Sequence, residues 1–355
     1  MTRPGVIRLA VAFTSALLLV AVRNWAQNNE VNVQFHSFQD TRSATVLSPT
    51  AELAKDFTER TNLRANFGVD AISAASDSCA RCHRDGVRSH RLVGGLSVTE
   101  KFDALKLTVG GAYSKENFYR ATTLLTSVSR DLANGNATVA GGYTFSLNQP
   151  TLHPNQLIAN QYQNGAFVSL TQTLSRLTIA QVGYELGAIF GYQSNPYLRA
   201  NVNGNLFLGQ VPDSRIRQTL TARVRQALPA DTYLEADYRR YFDDWQVHSN
   251  ALALGLSHHF TPTVMGSFTY RWYDQTGAYF YQPEYGSPPP TYFTADFRLQ
   301  PFNSGLYSGK VVLTPKGQLM GFPKDSALML QYDRYRADNG FEAAIFSAGV
   351  RVPLK

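Results

Sequence analysis

The chain has 355 residues, of which 44% are hydrophobic, 12% aromatic and only 17% charged, with a formal net charge of +7 and two cysteines. Ordinary soluble proteins carry about 25% charged residues, so this chain is charge-poor, and its 21 Phe, 19 Tyr and 3 Trp exclude a disordered polymer. Only the N-terminal stretch approaches the roughly 20 apolar residues of a membrane-spanning helix, which excludes a helical membrane bundle.

Arg3 and Arg8 precede an apolar stretch, Leu9–Val22, that ends before Arg23 and runs on through Trp25-Ala26-Gln27. A basic start, a short apolar core and a polar exit predict a secretory signal peptide over residues 1–26, leaving 27–355 as the mature chain. The alternative is a single membrane anchor, for which the run is short. Removing Arg3, Arg8 and Arg23 takes no acid with it and brings the formal charge from +7 to +4. The remaining basic residues are scattered, so the composition gives no support for nucleic-acid binding.

Past the signal, large apolar residues alternate with small or polar ones, the period of a β-strand. Leu63, Ala65, Phe67 and Val69 alternate with Arg64, Asn66, Gly68 and Asp70; Leu105, Leu107, Val109 and Tyr113 with Lys106, Thr108, Gly110 and Ala112; Leu252, Leu254 and Leu256 with Ala251, Ala253, Gly255 and Ser257. In chain order the pattern predicts strands at 31–38, 43–55, 61–73, 89–101, 104–114, 117–130, 135–147, 161–175, 177–192, 214–228, 231–244, 247–260, 263–276, 303–314, 325–337 and 341–354. One face of nearly every strand is large and apolar, while the other is small or charged. An antiparallel transmembrane β-barrel of about 16 strands accounts for both, with lipid outside, a polar lumen inside and aromatic residues at the interfaces.

Alternate connections then fall at alternate ends. Those at one end are tight and use Asp, Asn and Pro, as at Phe102-Asp103, Ala133-Asn134 and Thr261-Pro262. The long ones, 74–88, 148–160, 193–213 and 277–302, all fall at the other end, the arrangement of short periplasmic turns and long outer loops. Arg64, Asp70, Glu235, Asp237, Arg239 and Arg271 are expected to line the lumen as an ion-paired wall. Asp243-Asp244 suggests a cation site or, more simply, capping of backbone N–H groups at a tight turn.

The run Tyr238-Arg239-Arg240-Tyr241-Phe242-Asp243-Asp244-Trp245-Gln246-Val247-His248-Ser249 resembles the most recognisable stretch of an uncharacterised bacterial outer-membrane β-barrel family, a domain of unknown function. Tyr270-Arg271-Trp272-Tyr273-Asp274-Gln275, Tyr292-Phe293-Thr294-Ala295-Asp296 and Val69-Asp70-Ala71-Ile72-Ser73-Ala74-Ala75-Ser76 resemble other parts of it. The resemblance implies a barrel in the bacterial outer membrane and implies nothing about its task.

Both cysteines fall in Cys79-Ala80-Arg81-Cys82-His83, the spacing of c-type haem attachment. Two thiols three residues apart can add to the two porphyrin vinyl groups while the adjacent imidazole meets the iron. Cys79, Cys82 and His83 are therefore the predicted ligands of one covalent haem c, with His83 proximal to the iron and His248 or His153 as the distal candidate. A zinc knuckle lacks a second ligand pair. A thioredoxin-like pair lacks its α/β fold, and a disulfide would close a very short loop. No catalytic residue arrangement stands out, so no enzyme is expected. The sequence reading is an outer-membrane barrel in contact with lipid, carrying haem in the loop 74–88 and passing electrons to a periplasmic or surface multihaem cytochrome. Its alternative is a porin-like transport or scaffold barrel without haem.

Overall fold

The computed structural model describes residues 29–354 apart from 42–43, 75–86, 118, 154–155, 196–197, 318–320 and 322. The predicted signal peptide and the Cys79–His83 motif lie outside the described residues. The strands are β1 (Glu30–Asp40), β2 (Thr45–Asp56), β3 (Thr61–Ala74), β4 (Val87–Phe102), β5 (Leu105–Glu116), β6 (Tyr119–Leu132), β7 (Ala137–His153), β8 (Gln156–Leu157), β9 (Gln161–Ser175) and β10 (Thr178–Gly191). They continue with β11 (Arg199–Val202), β12 (Asn205–Leu208), β13 (Ser214–Leu228), β14 (Thr232–Asp243), β15 (His248–Thr261), β16 (Val264–Gln275), β17 (Phe302–Leu313), β18 (Ala327–Ala337) and β19 (Glu342–Pro353).

All but three of these form one antiparallel ring. The main sheet has 17 strands, of which the two-residue β8 only extends the end of β7. The other sixteen pair in chain order, and β1 pairs on one side with β2 and on the other with β19, from Glu30↔Pro353 to Asp40↔Ala343. The barrel is closed. Every strand predicted from the alternation is present, with its ends within a few residues of expectation except in β7, which runs on to His153.

The alternation has the meaning the sequence suggested. Leu252, Leu254 and Leu256 of β15 are exposed on the outer surface, as are Leu92, Leu96 and Val98 of β4 and Phe67 of β3. The intervening residues face the lumen, where ion pairs link neighbouring strands: Arg64–Glu52 at 3.1 Å, Arg91–Asp70 at 3.5 Å, Lys106–Asp131 at 3.3 Å and Arg225–Glu235 at 3.0 Å. Large apolar side chains exposed in rows around a closed sheet are stable only against hydrocarbon, because in water such an area would drive association.

At one end both ends of the ring, Glu30 and Pro353, meet tight turns such as Asp103-Ala104, Arg176-Leu177 and Pro262-Thr263. The one long connection there is 314–326. The opposite end carries 75–86, 192–213 and 276–301, so it is the loop end, and by the rule for bacterial barrels it faces outward from the cell.

Leu254 sits half-way along β15 on the lipid face. Leu254→Arg is expected to lower the unfolding free energy in lipid by about 2–4 kcal/mol, whereas Ala253→Ser on the lumen face should stay within about 0.5 kcal/mol. Guanidinium titration of the two variants in bilayers checks this.

Candidate functional site at the loop end of the barrel

The two longest connections do not run free; they fold onto one another. Residues 199–208 make a hairpin, β11 on β12, turned by Asn203-Gly204 with φ of 48° and 80°. Both turn positions are left-handed, the geometry that Asn-Gly supplies in a two-residue hairpin turn. The hairpin docks on the second connection through Asn203 N–H to Tyr285 O (2.9 Å) and Tyr285 N–H to Asn201 O (3.0 Å). Gln210 and Phe293 exchange backbone bonds of 2.9 and 2.7 Å.

Two apolar clusters fill the resulting cap. Ala200, Val202, Tyr285 and Phe293 form one; Trp245, Val247, Ala278, Phe280 and Leu299 form the other, with Tyr241, Val211, Tyr281 and Tyr292 packed against it. Tyr285 pins the first. Its buried hydroxyl donates toward Phe280 O and Thr294 O and accepts from the N–H groups of Gln282 and Thr294, all at 2.9–3.0 Å.

The cap is fastened to the barrel wall at the β14–β15 turn, where the Tyr241-Phe242-Asp243-Asp244-Trp245 run falls. The Asp243 side chain accepts from Val247 N–H (2.9 Å), Tyr241 Oη (2.6 Å) and Arg215 Nε (2.8 Å). Asp244 accepts from Ile216 N–H at 3.0 Å, which ties the turn to β13. The guanidinium of Arg215 lies 4.2 Å from the centre of the Trp245 ring, whose Nε1 donates to Ser214 O at 2.9 Å. Trp245 then meets Phe280 edge to face, with ring centres 5.1 Å apart, and its carbonyl accepts from Tyr279 N–H. Both aspartates are thus engaged by protein donors, the capping role weighed against a cation site. Among the described residues no group of three or more His, Cys, Asp and Glu side chains is arranged to hold a metal ion.

A second fastening runs from β16. Gln275 Nε2 donates to Arg298 O (2.8 Å) and Gln300 O (2.6 Å). Asp296 caps the short 3-10 turn Phe297–Leu299 by accepting from Arg298 N–H, and its carboxylate also takes Arg298 Nε at 2.8 Å. Burial pushes the Asp296 carboxyl up, but the charge and hydrogen bonds of Arg298, with Arg215 adding its field, outweigh this and hold it below the ordinary range.

Of the residues expected to line the lumen, Arg64, Asp70 and Glu235 have partners as given above. Asp237 pairs with Arg223, and Arg239 lies 4.0 Å from Glu185. Arg271 departs from the expectation. Its register neighbours are Ala253 and Leu306, which offer no side-chain acceptor, and it makes no ion pair among the described residues.

The haem candidates are spread around the ring. Cys79, Cys82 and His83 lie outside the described residues, in the connection between Ala74 and Val87 at the loop end. His153 ends β7, a quarter of the ring away. His248 opens β15, half the ring away, and by strand parity faces outward with Leu252 and Leu254; its N–H donates to Thr276 Oγ1. Sixteen strands at about 4.8 Å spacing, tilted, make a barrel roughly 30 Å across. The start of β15 therefore stands across the ring from Ala74 and Val87, while Cys79, Cys82 and His83 themselves lie outside the described residues.

The chain is an outer-membrane β-barrel. Residues 154–318 match the model of a family described as "Protein of unknown function (DUF3570)". That span contains both cap segments, the Asp243 turn and Arg217, Arg239 and Arg271, and it excludes Cys79–His83. No curated protein matches. Among solved structures, a bacterial polysaccharide outer membrane secretin superposes with a TM-score of 0.52 at 10% identity, covering 92% of this chain and 99% of the other. OccK5 (OpdH) of Pseudomonas aeruginosa gives 0.49 at 8%, covering 92% and 98%. A BenF-like porin from Pseudomonas fluorescens Pf-5 gives 0.49 at 9%, with the same coverage. The first of these likenesses supports the fold; identities this low carry no function.

Strand alternation alone predicts the cap segments to be plain loops. Asn203-Gly204 between Val202 and Asn205-Leu206-Phe207-Leu208 was a hairpin signal, and the aromatic density of 279–293 marked a packed unit.

Tyr285→Phe leaves the Thr294 and Gln282 N–H groups without their acceptor and is expected to weaken the cap by about 1–3 kcal/mol, read as earlier loss of near-ultraviolet dichroism while the strand signal persists. Because the Asp296 carboxyl in the folded cap lies below its unfolded value of about 3.9, its stabilisation is present above about pH 4 and fades as pH falls through the folded value. Acidification should therefore shift Trp245 emission toward that of a hydrated indole before the barrel unfolds, and Asp296→Asn should show the shifted emission already at pH 7.

Proposed function

We propose that the protein is a porin-like outer-membrane channel whose outer mouth is narrowed by the cap built from 192–213 and 276–301. One observation carries this reading: a closed ring of sixteen strands with an apolar exterior and an interior of charged side chains paired across strands. A ring of sixteen strands is too wide for its own side chains to fill, and polar walls hold water in the space that remains. The cap reaches the lumen wall through Tyr241 and Gln275, so it covers part of the entrance on the β13–β16 side. Purified full-length protein in planar bilayers is expected to give discrete ion-conducting steps. Trp245→Ala, which removes the ring that Arg215 and Phe280 hold, should raise single-channel conductance and its fluctuation. A heat-modifiable, correctly folded barrel that passes no current would defeat the reading.

A second reading rests on Cys79-Ala80-Arg81-Cys82-His83. In it, Cys79 and Cys82 hold one haem c by thioether bonds and His83 supplies the proximal nitrogen, which gives the loop end a one-electron centre. A single centre at one end cannot carry electrons across the bilayer, so this reading needs a multihaem cytochrome as partner at the surface or from the periplasm. Protein expressed with a cytochrome-maturation system should then show a reduced c-type absorption band that Cys79→Ala with Cys82→Ala abolishes, with barrel migration intact. A colourless wild-type protein from that strain ends it.

A further inference from the structure

The lumen wall is not evenly balanced. Toward the turn end and around β2–β6, cations and carboxylates pair one to one. On the four strands that carry the cap, β10, β13, β14 and β16, six lumen-facing arginines (Arg215, Arg217, Arg223, Arg225, Arg239, Arg271) stand against four carboxylates, Glu185, Glu235, Asp237 and Asp243. Asp243 is already committed to Arg215, the Tyr241 hydroxyl and Val247 N–H. Arg217 faces Asp243 in register, yet it forms no ion pair or hydrogen bond among the described residues, and neither does Arg271. Arg239 has only Glu185, at the 4.0 Å limit.

On one side each of these side chains has a small neighbour. Arg217 lies along Gly187, where an added Cβ would sit 3.7 Å from its Nε; Ala251 is opposite Arg239 and Ala253 opposite Arg271. Nothing at those positions accepts a hydrogen bond through its side chain. Asp333, two strands beyond Arg271, reaches it only through its field, and both its oxygens accept from the Gln331 amide at 2.9 and 3.1 Å. A guanidinium in the lumen wall with no carboxylate in contact keeps its donors available, and its planar fork matches a two-oxygen anion.

We propose that Arg217, Arg239 and Arg271 form a binding stripe for small oxyanionic solutes, carboxylates or phosphates, that enter past the cap. The inference deepens the channel reading by naming the solute class, and it rests on that reading for the route of entry. Arg215 is not part of the stripe, since Asp243 and Trp245 use it to hold the cap. The two source chemistries share the same recognition, because each presents paired oxygens to the guanidinium edge.

The test is calorimetric titration of detergent-purified full-length protein at low ionic strength with succinate and, separately, inorganic phosphate. Saturable binding of at least one is expected, weakened about tenfold or more in Arg217→Gln with Arg271→Gln. Which anion binds more tightly identifies the solute. The charge-balanced control, Arg223→Gln with Asp237→Asn, removes a paired cation and its acid and should leave the affinity unchanged. If the double arginine variant does not fold, the exposed Arg271→Gln alone should still weaken binding several-fold. Absence of saturable binding of both anions, or equal affinity in wild type and the arginine variants, overturns the proposal. Conductance separates it from the channel reading. A barrel that conducts without binding either anion sinks the stripe and spares the channel. A barrel that binds anions yet passes no current does the reverse.

Discussion

Closure of β1 on β19 is the constraint on which everything else depends. Hydrocarbon offers no hydrogen-bond partner, so a sheet can lie in it only if its first and last strands satisfy each other. The eleven-residue register from Glu30↔Pro353 to Asp40↔Ala343 does this. Once the ring is closed, alternation leaves no freedom: each leucine or phenylalanine placed outward puts its neighbour inward. The charged lumen follows from the lipid face, because a one-residue slip would exchange the two surfaces.

At the loop end a different device takes over. Water is present there, so backbone groups need not be satisfied by strands, and the two long connections build a small core of their own. That core is too small to be stable alone, and the wall supplies its foundation through Asp243. The carboxylate gathers a hydroxyl, a guanidinium and a backbone N–H at one turn, and Arg215, so fixed, lies against Trp245. The resemblance carried by Tyr241, Asp243, Asp244 and Trp245 thereby acquires a physical meaning. These residues fasten the cap, and they need have no direct contact with a solute. Fixing Arg215 also commits Asp243, so Arg217 next to it makes no ion-pair contact among the described residues.

Much of this was legible in the residues. Period-two alternation located all sixteen barrel strands because one lipid face and one wet face impose it on every strand, and Asp, Asn and Pro marked the tight turns. The aromatic residues are less legible. Their place near strand ends predicts the lipid interface, yet Trp245, Phe280, Tyr285 and Phe293 are buried in the cap and Tyr241 and Tyr273 face the lumen. An aromatic residue at the end of a strand has the same local pattern whether its neighbour is lipid or a folded loop. Only the partner distinguishes them. The lumen pairs were anticipated as a class; that Arg271 lacks one depended on what β15 and β17 place beside it.

The sequence by itself determined the barrel, its strand count, its inside and outside and the end that bears the long loops, since each follows from local alternation and connection length. It also holds the Cys79–His83 spacing on which the haem reading rests. Tertiary structure decided that 192–213 and 276–301 form one cap, that Asp243 is spent on fastening it, and that the cationic surplus collects beneath it. These depend on contacts between residues 28 to 83 positions apart, and such contacts are set by which strands the ring makes neighbours.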